Sequence, residues 1–436
     1  MKVYSILGLS ALLAGTVSAS VPEVSDVTIA QNPGNHRVTV TYRLSGESGI
    51  VTLEILKDGE PIDGRLVDYV TGDVNKVVDV TEGAATRTIV WQAAKSWPNQ
   101  RFDESSISAR VTAWATNTPP DYCVVDLTDG ALRYYLSADY LPQGGLTNDV
   151  YRKTKLVLRK IPAGGVETTL GAIKGELSSS LAKEAPHRVR FSKDYYIGVY
   201  EVTQHQWRMI RGETDTHRVK FKNPDYADMR PVDGVFYQLI RNAGYFWTPS
   251  NPVQPEAASF LGKLRTLTGC PRFDLPTECQ WEYACHGGYE GTFYNGKTYL
   301  PLNEEAKTNL AALARYRFSG GLVDGTTVPD METCTTELGS ATVGSYLPNG
   351  YGLYDMLGNV PEICREPVKA ESNARTWSDE DIDDPVSSEG NMALATHLTK
   401  GGSWYGEWYF CRPGAVGNRA GDTANGAGLR VVMELP

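Results

Sequence analysis

The sequence lacks a second long apolar run, a basic stretch and a paired-cysteine motif. After residue 19, no segment reaches the roughly 18 apolar residues that a membrane helix needs, which excludes a membrane span. The net charge is −10 and no Lys/Arg cluster stands out, so we expect neither nucleic acid nor an anionic membrane surface as the main partner. The absence of a Cys-x-x-Cys pair excludes a zinc ribbon and a thioredoxin-like motif.

The first residues are typical of an export leader. Lys2 supplies a positive start, Ile6 to Val17 are apolar or small, and Val17-Ser18-Ala19 fits the small-residue cleavage rule. We therefore predict cleavage after Ala19 and a secreted or periplasmic location. Seven cysteines follow this segment, and their odd number predicts at least one thiol that is free or paired to another chain.

The length of 436 residues is sufficient for two domains, and the pattern changes along the chain. Residues 20–116 contain short alternating runs such as Val38 to Tyr42 and Ile50 to Leu56, which are typical of a β-sandwich of immunoglobulin or fibronectin type. We predict that this sandwich is a spacer or adhesion module. Residues 117–152 are predicted as a linker and connecting strands.

The remaining segment, residues 153–436, mixes strands with helices. Capping-box spacing predicts one helix after Thr203, with Gln206, and a second after Thr277, with Gln280. A third helix is predicted from Pro255 to about Leu267, because proline is favoured in the first helical turn. Beyond residue 290, the chain is rich in glycine and loops.

Five motifs in this segment resemble one known family. They are Ile161-Pro162-Ala163-Gly164, the run from Leu275 to Ala284, the run from Asn349 to Val360, Gly401-Gly402-Ser403-Trp404, and the run from Gly428 to Val432. Their order and spacing resemble the formylglycine-generating enzyme (sulfatase-modifying factor) family. The resemblance implies an irregular α+β fold related to C-type lectins, preceded here by the small all-β sandwich.

The resemblance also implies an activity and a metal. The founding enzymes oxidise a cysteine of a sulfatase polypeptide to formylglycine, using O₂ and Cu⁺ held by two cysteines. Ser403 and Cys411 match the family's catalytic positions, but Gly406 stands where the first copper cysteine belongs. One thiolate cannot form the two-sulfur site that soft Cu⁺ prefers. One hypothesis is therefore an exported relative of these enzymes that acts on sulfatases, with an incomplete copper site.

The chemistry of Cys411 itself has two interpretations. Arg412 beside it favours a reactive thiolate. The alternative is a structural thiol or half of a disulfide, with Cys364 as a candidate partner.

The second hypothesis is a non-catalytic, calcium-stabilised ligand-binding module. Aromatic residues crowd the loop at residues 404–410, and such loops bury a large area at a small entropic cost. The partner would be another extracellular protein or a glycan. The predicted ligand-binding residues are Trp404, Tyr405, Glu407, Trp408 and Tyr409.

Calcium is the second cofactor that the resemblance implies. Asn359, the Val360 carbonyl and Glu362 match the family's Gly-Asn-x-x-Glu loop, and Ca²⁺ prefers such oxygen ligands. Asn309, with the carbonyl of Leu310, is the candidate start of a second calcium site.

Overall fold

A computed structural model gives the fold of the chain. It describes residues 21–80, 85–99, 104–176, 184–212, 227–241, 254–327, 329, 337–369, 382–384, 395–420 and 427–436. The predicted export leader and Cys334 lie outside the described residues. Within the described ranges, no helix is both long and apolar enough to cross a membrane.

The first part of the chain contains two antiparallel sheets around one apolar core. One sheet has the strand order β1-β2-β7-β5; in the other, β3 pairs with β4, β6 and β8. The strands are β1 Glu23–Gln31, β2 Val38–Ser45, β3 Gly49–Lys57, β4 Glu60–Pro61, β5 Val70–Gly72, β6 Lys76–Val78, β7 Arg87–Trp91 and β8 Ile107–Trp114, and one short helix, α1, spans Ala93–Ser96. Burial alternates along β2 as the sequence predicts.

A six-stranded sheet with the order β10-β9-β11-β14-β19-β15 organises the second part. Its strands are β9 Tyr122–Asp126, β10 Leu132–Tyr135, β11 Lys155–Ile161, β14 Tyr195–Gly198, β15 Phe273–Asp274 and β19 Val432–Glu434. Two of them, β9 and β10, come from the segment predicted as a linker and connecting strands, and β9 pairs with β11. The last strand of the chain, β19, lies between β14 and β15, so residues far apart in sequence share one core.

Helices pack against this sheet, and their caps explain where they begin. They are α2 Gln204–Arg211, α3 Tyr237–Ile240, α4 Phe260–Thr268, α5 Glu278–His286 and α6 Glu304–Leu310. Both predicted capping boxes are present at α2 and α5. The predicted start of the third helix at Pro255 was wrong. It begins at Phe260, because the Ser259 side chain accepts a hydrogen bond from the Gly262 amide and caps the helix.

Two smaller sheets complete the fold. β12 Glu167–Leu170 pairs with β13 His187–Arg190, and β16 Glu362–Lys369, β17 Ala395–Lys400 and β18 Gly417–Ala420 form a three-stranded sheet. In the latter, Thr399 lies opposite Gly417. The fold class is confirmed: an irregular α+β part follows a separate all-β part. The domain boundaries themselves remain predictions.

Candidate functional site

The segment after β17 forms a tight loop that begins with two glycines. Gly401 and Gly402 have φ values of 94° and 81°, which glycine adopts without strain. The Gly401 carbonyl accepts a hydrogen bond from Gly358 at 2.6 Å, and the Trp404 amide donates to the Asn359 carbonyl at 2.7 Å. These bonds hold the loop against the Gly358-Asn359 turn and place Ser403 beside a cavity.

The cavity has a volume of about 360 Å³ and collects residues from three places in the chain. Its lining comprises Pro361, Thr399, Gly402, Ser403, Tyr405, Gly406, Phe410, Ala415, Val416 and Gly417. Ser403 and Tyr405 are predicted site residues. No sequence motif pointed to Thr399, Val416 or Gly417, because the pairing of β17 with β18 brings them to the cavity.

Cys411 is not among the residues that line the cavity. Its sulfur lies against Gly402, which does line it, since a Cβ atom on Gly402 would stand 2.6 Å from that sulfur. Cys411 is fully buried, and burial raises the pKa of its thiol to about 12, although the Ser403 backbone and Arg412 lower it. Burial outweighs Arg412, so the reactive-thiolate interpretation is not favoured.

Arg412 has other partners that account for its position. Its guanidinium forms ion pairs with Glu176 at 2.5 Å and with Glu184 at 2.9 Å. Arg412 and Glu176 are both buried. The residue therefore ties the end of the site loop to the segment that follows β12.

None of the described cysteines forms a disulfide with Cys411, and none stands at the family's first copper position. All six described cysteines are free thiols, so the suggested pairing of Cys411 with Cys364 was wrong. Cys285 lies on α5 with its sulfur 3.8 Å from the Met356 carbonyl oxygen. Gly406 offers no ligand atom. The residues present therefore do not fit a two-thiolate Cu⁺ site.

The aromatic residues of the loop divide between core and surface. Trp404 is buried, and its indole nitrogen donates to Asp233 at 3.0 Å, so it holds the loop in place. Trp408 and Tyr409 are partly buried, and Trp408 packs against the main core. Phe410 is 45% exposed and, with Tyr405, lines the cavity.

Glu407, the charged member of the predicted binding loop, has a protein partner. It forms an ion pair with Arg317, whose Nε donates to the Gly325 carbonyl. Glu407 thereby fastens the loop to the segment after α6.

The predicted calcium loop is built into the core through its own hydrogen bonds. The Asn359 side chain accepts from the Ala341 amide at 2.8 Å and donates to Glu201 at 2.6 Å. The Glu362 carboxylate accepts from Trp281 at 2.6 Å and from Arg430 at 2.7 Å. Both side chains therefore have hydrogen-bond partners within the protein. Calcium binding at this loop stays an untested prediction.

Asn309, the candidate for the second calcium site, lies on the exposed face of α6. Its amide donates to the Glu305 carbonyl at 2.9 Å, and the Lys297 ammonium stands 3.4 Å from its carbonyl oxygen. A neighbouring cation disfavours a second one. Across the part of the chain that the structure describes, no cluster of three or more His, Cys, Asp or Glu could hold a metal ion.

A cluster of buried charges includes Glu362, the only one of its members for which the sequence predicted a role, as a calcium ligand. Arg430 pairs with Glu362, while Glu201 and Asp355 are buried close by. Burial raises the pKa of Asp355 to about 6, with the Gly344 amide and Arg430 opposing that rise. Burial, and then repulsion from Asp355 and Glu362, hold the pKa of Glu201 well above its ordinary value. Arg430 is therefore the buried cation that offsets the negative charge of these carboxylates.

Residues 152–435 match a known protein family, which is described as Sulfatase-modifying factor enzyme 1-like domain. The chaperone protein LppX of Paenibacillus barcinonensis is 29% identical over 222 residues, which cover 47% of this chain and 73% of LppX. The formylglycine-generating enzyme of Thermomonospora curvata is 31% identical over 194 residues, which cover 44% of this chain and 58% of that enzyme. The solved structure of PvdO from Pseudomonas aeruginosa aligns with a TM-score of 0.45 at 23% identity, over 64% of this chain and 94% of PvdO.

Proposed function

Because the chain belongs to the sulfatase-modifying factor family, we propose that its second part is a non-catalytic binding domain that recognises a polypeptide through the cavity beside Ser403. The observation that carries this proposal is the separation of the cavity from the thiol. Ser403 and Gly406 line the cavity, whereas Cys411 does not and its sulfur lies against Gly402. A ligand can enter the cavity without meeting a sulfur atom there.

The lining supports binding rather than bond-making chemistry. It contains neither a titratable acid nor a histidine nor a thiol, and its volume of about 360 Å³ falls in the range of small-ligand pockets. Copper oxidation needs a paired thiolate site, and Gly406 replaces the first copper cysteine. The family's scaffold is thus retained while its metal chemistry is not supported.

A polypeptide is the ligand class that the relatives favour. One relative is named a chaperone, and chaperones act on polypeptides. The export leader predicted over residues 1–19 makes the partner an extracellular or periplasmic protein. The all-β part then serves as a spacer.

The binding proposal is tested by fluorescence anisotropy with fluorescein-labelled casein, an unfolded polypeptide. We expect saturable binding that Gly406→Leu weakens by on the order of tenfold or more, as when a central interface contact is lost. The matched control is Gly34→Leu, in a turn of the first part where a Cβ meets nothing closer than 3.4 Å. Absence of binding, or binding that Gly406→Leu leaves unchanged, contradicts the proposal.

A second candidate is the family's oxidation reaction, favoured by one observation: Ser403 and Cys411 share one loop in the family's spacing. Its test is incubation with Cu⁺, O₂, a reductant and a sulfatase-motif peptide, followed by mass spectrometry. We expect no aldehyde from the natural chain. Aldehyde that disappears in Cys411→Ala would establish the enzyme and overturn the non-catalytic proposal.

A further inference from the structure

Two hydroxyl groups in the cavity lie next to glycines. A Cβ on Gly406 would stand 2.7 Å from the Ser403 Oγ, and a Cβ on Gly417 would stand 2.5 Å from the Thr399 Oγ1. Because neither glycine has a side chain, both hydroxyls stay open to the cavity that all four residues line. The two pairs come from different places, one from the site loop and one from the β17–β18 pairing.

Both hydroxyls also lack a partner of their own. Ser403 is 3% exposed and Thr399 is 2% exposed, and neither hydroxyl is hydrogen-bonded to any residue that the structure describes. Neither oxygen is among the enclosed side-chain atoms that lack a partner, so both are reached from the open space of the cavity. Two hydroxyls that are open to one cavity are available to a ligand that replaces water as their hydrogen-bond partner.

The rest of the lining limits the charge of that ligand. None of the ten lining residues is charged, and the other side chains include Pro361, Phe410 and Val416. Moving a charged group into such a site without a partner is strongly disfavoured. The inserted group is therefore neutral, and it is apolar where it contacts these three side chains.

We infer that the cavity receives one uncharged side chain of the polypeptide, and this inference rests on the proposed function. The side chain is apolar along its length and ends in a hydrogen-bonding group. Ser403 and Thr399 bind that end group. Gly406 and Gly417 are specificity-determining, because a side chain at either position would cover a hydroxyl. Gly406, where the family's copper ligand is missing, thus becomes part of a recognition surface.

Peptides with one variable residue test this inference. They share an otherwise Gly/Ser sequence and carry Tyr, Phe, Gln or Glu at the centre, and their affinities are measured by calorimetry at pH 7. We expect Tyr to bind on the order of tenfold more tightly than Phe, since only Tyr pairs the hydroxyls. We expect Gln to exceed Glu by at least as much, because only Glu carries a charge.

Variants of the lining residues test which side chains cause the Tyr-over-Phe preference. Thr399→Val and Ser403→Ala should each reduce the Tyr-over-Phe ratio toward one. Gly417→Ala should do the same by covering the Thr399 hydroxyl. Thr169→Val, at an exposed position of β12, is the matched control and should leave the ratio intact. Melting temperatures confirm that each variant is folded.

The two proposals fail in different ways. If the peptides bind, Gly406→Leu weakens them, and Tyr equals Phe or Glu equals Gln, the side-chain inference is overturned while the binding function stands. A Tyr-over-Phe ratio that persists in both Thr399→Val and Ser403→Ala also overturns the inference. If neither casein nor any of the peptides binds, the binding function itself is overturned.

Discussion

Replacing Arg430 with Met should destabilise the second part of the chain by about 3–5 kcal/mol, the usual loss when one partner of a buried ion pair is removed. Arg430 and Glu362 are both 0% exposed. The guanidinium also donates to the Gly198 carbonyl at 2.8 Å and to the Tyr354 carbonyl at 2.9 Å. Methionine fills much of the space but donates no hydrogen bond. The Glu362 carboxylate then keeps the hydrogen bond from Trp281 and loses those from Arg430.

The destabilisation should depend on pH in a direction that the structure sets. Arg430 lowers the pKa of both Glu201 and Asp355, which burial raises, so its removal raises them further. A carboxyl whose pKa is higher in the folded state than in the unfolded state contributes stability at low pH and loses it as the pH rises through the folded pKa. The loss caused by Arg430→Met should therefore be larger at pH 8 than at pH 5.

The assay is urea unfolding followed by tryptophan fluorescence at both pH values. The control is Arg110→Met, which removes an exposed partner of Glu54, with Arg110 49% exposed, and should cost less than about 1 kcal/mol. A loss from Arg430→Met as small as that of the control, or one that is equal at pH 5 and pH 8, would refute the role given to Arg430.

Three further predictions follow from the same structure. Asp355, with its pKa raised to about 6, contributes stability below about pH 4 that is lost as the pH rises through 6, on the order of 3 kcal/mol. Asp355→Asn should therefore flatten the dependence of unfolding free energy on pH across this window, and an unchanged profile would contradict it. Chelation with EDTA should leave the melting temperature unchanged, because Asn359 and Glu362 already have protein partners; a calcium-dependent rise that Glu362→Ala removes would restore the calcium assignment. Cys411, buried with a pKa near 12, should resist iodoacetamide at pH 8 in the folded protein and react after unfolding. Peptide mapping that finds Cys411 modified in the folded chain would contradict that burial.

Local hydrogen-bonding patterns could be predicted from sequence, because a helix cap involves residues within one turn. Thr203 with Gln206 and Thr277 with Gln280 form the expected capping boxes. The start of α4 was predicted wrongly at Pro255. Its cap is Ser259, a residue within one turn of the helix that the proline rule does not consider. Alternating burial along β2 followed equally from its sequence, because strand side chains face opposite sides in turn.

The family motifs located the site loop but did not determine its chemistry. Ser403, Tyr405 and Cys411 lie on one loop, yet only the first two line the cavity, since Cys411 is fully buried. Trp404 and Glu407 could not be assigned from sequence, because their partners, Asp233 and Arg317, are distant along the chain.

The amino-acid pattern was enough to predict the family, the fold class, the capped helices and the absence of the first copper cysteine. Tertiary structure alone decided that Thr399 and Gly417 face each other beside Ser403, and that Arg430 neutralises Glu362 in the core. The physical reason is that caps and alternation depend on neighbouring residues, whereas strand pairing and buried ion pairs depend on packing between segments far apart along the chain.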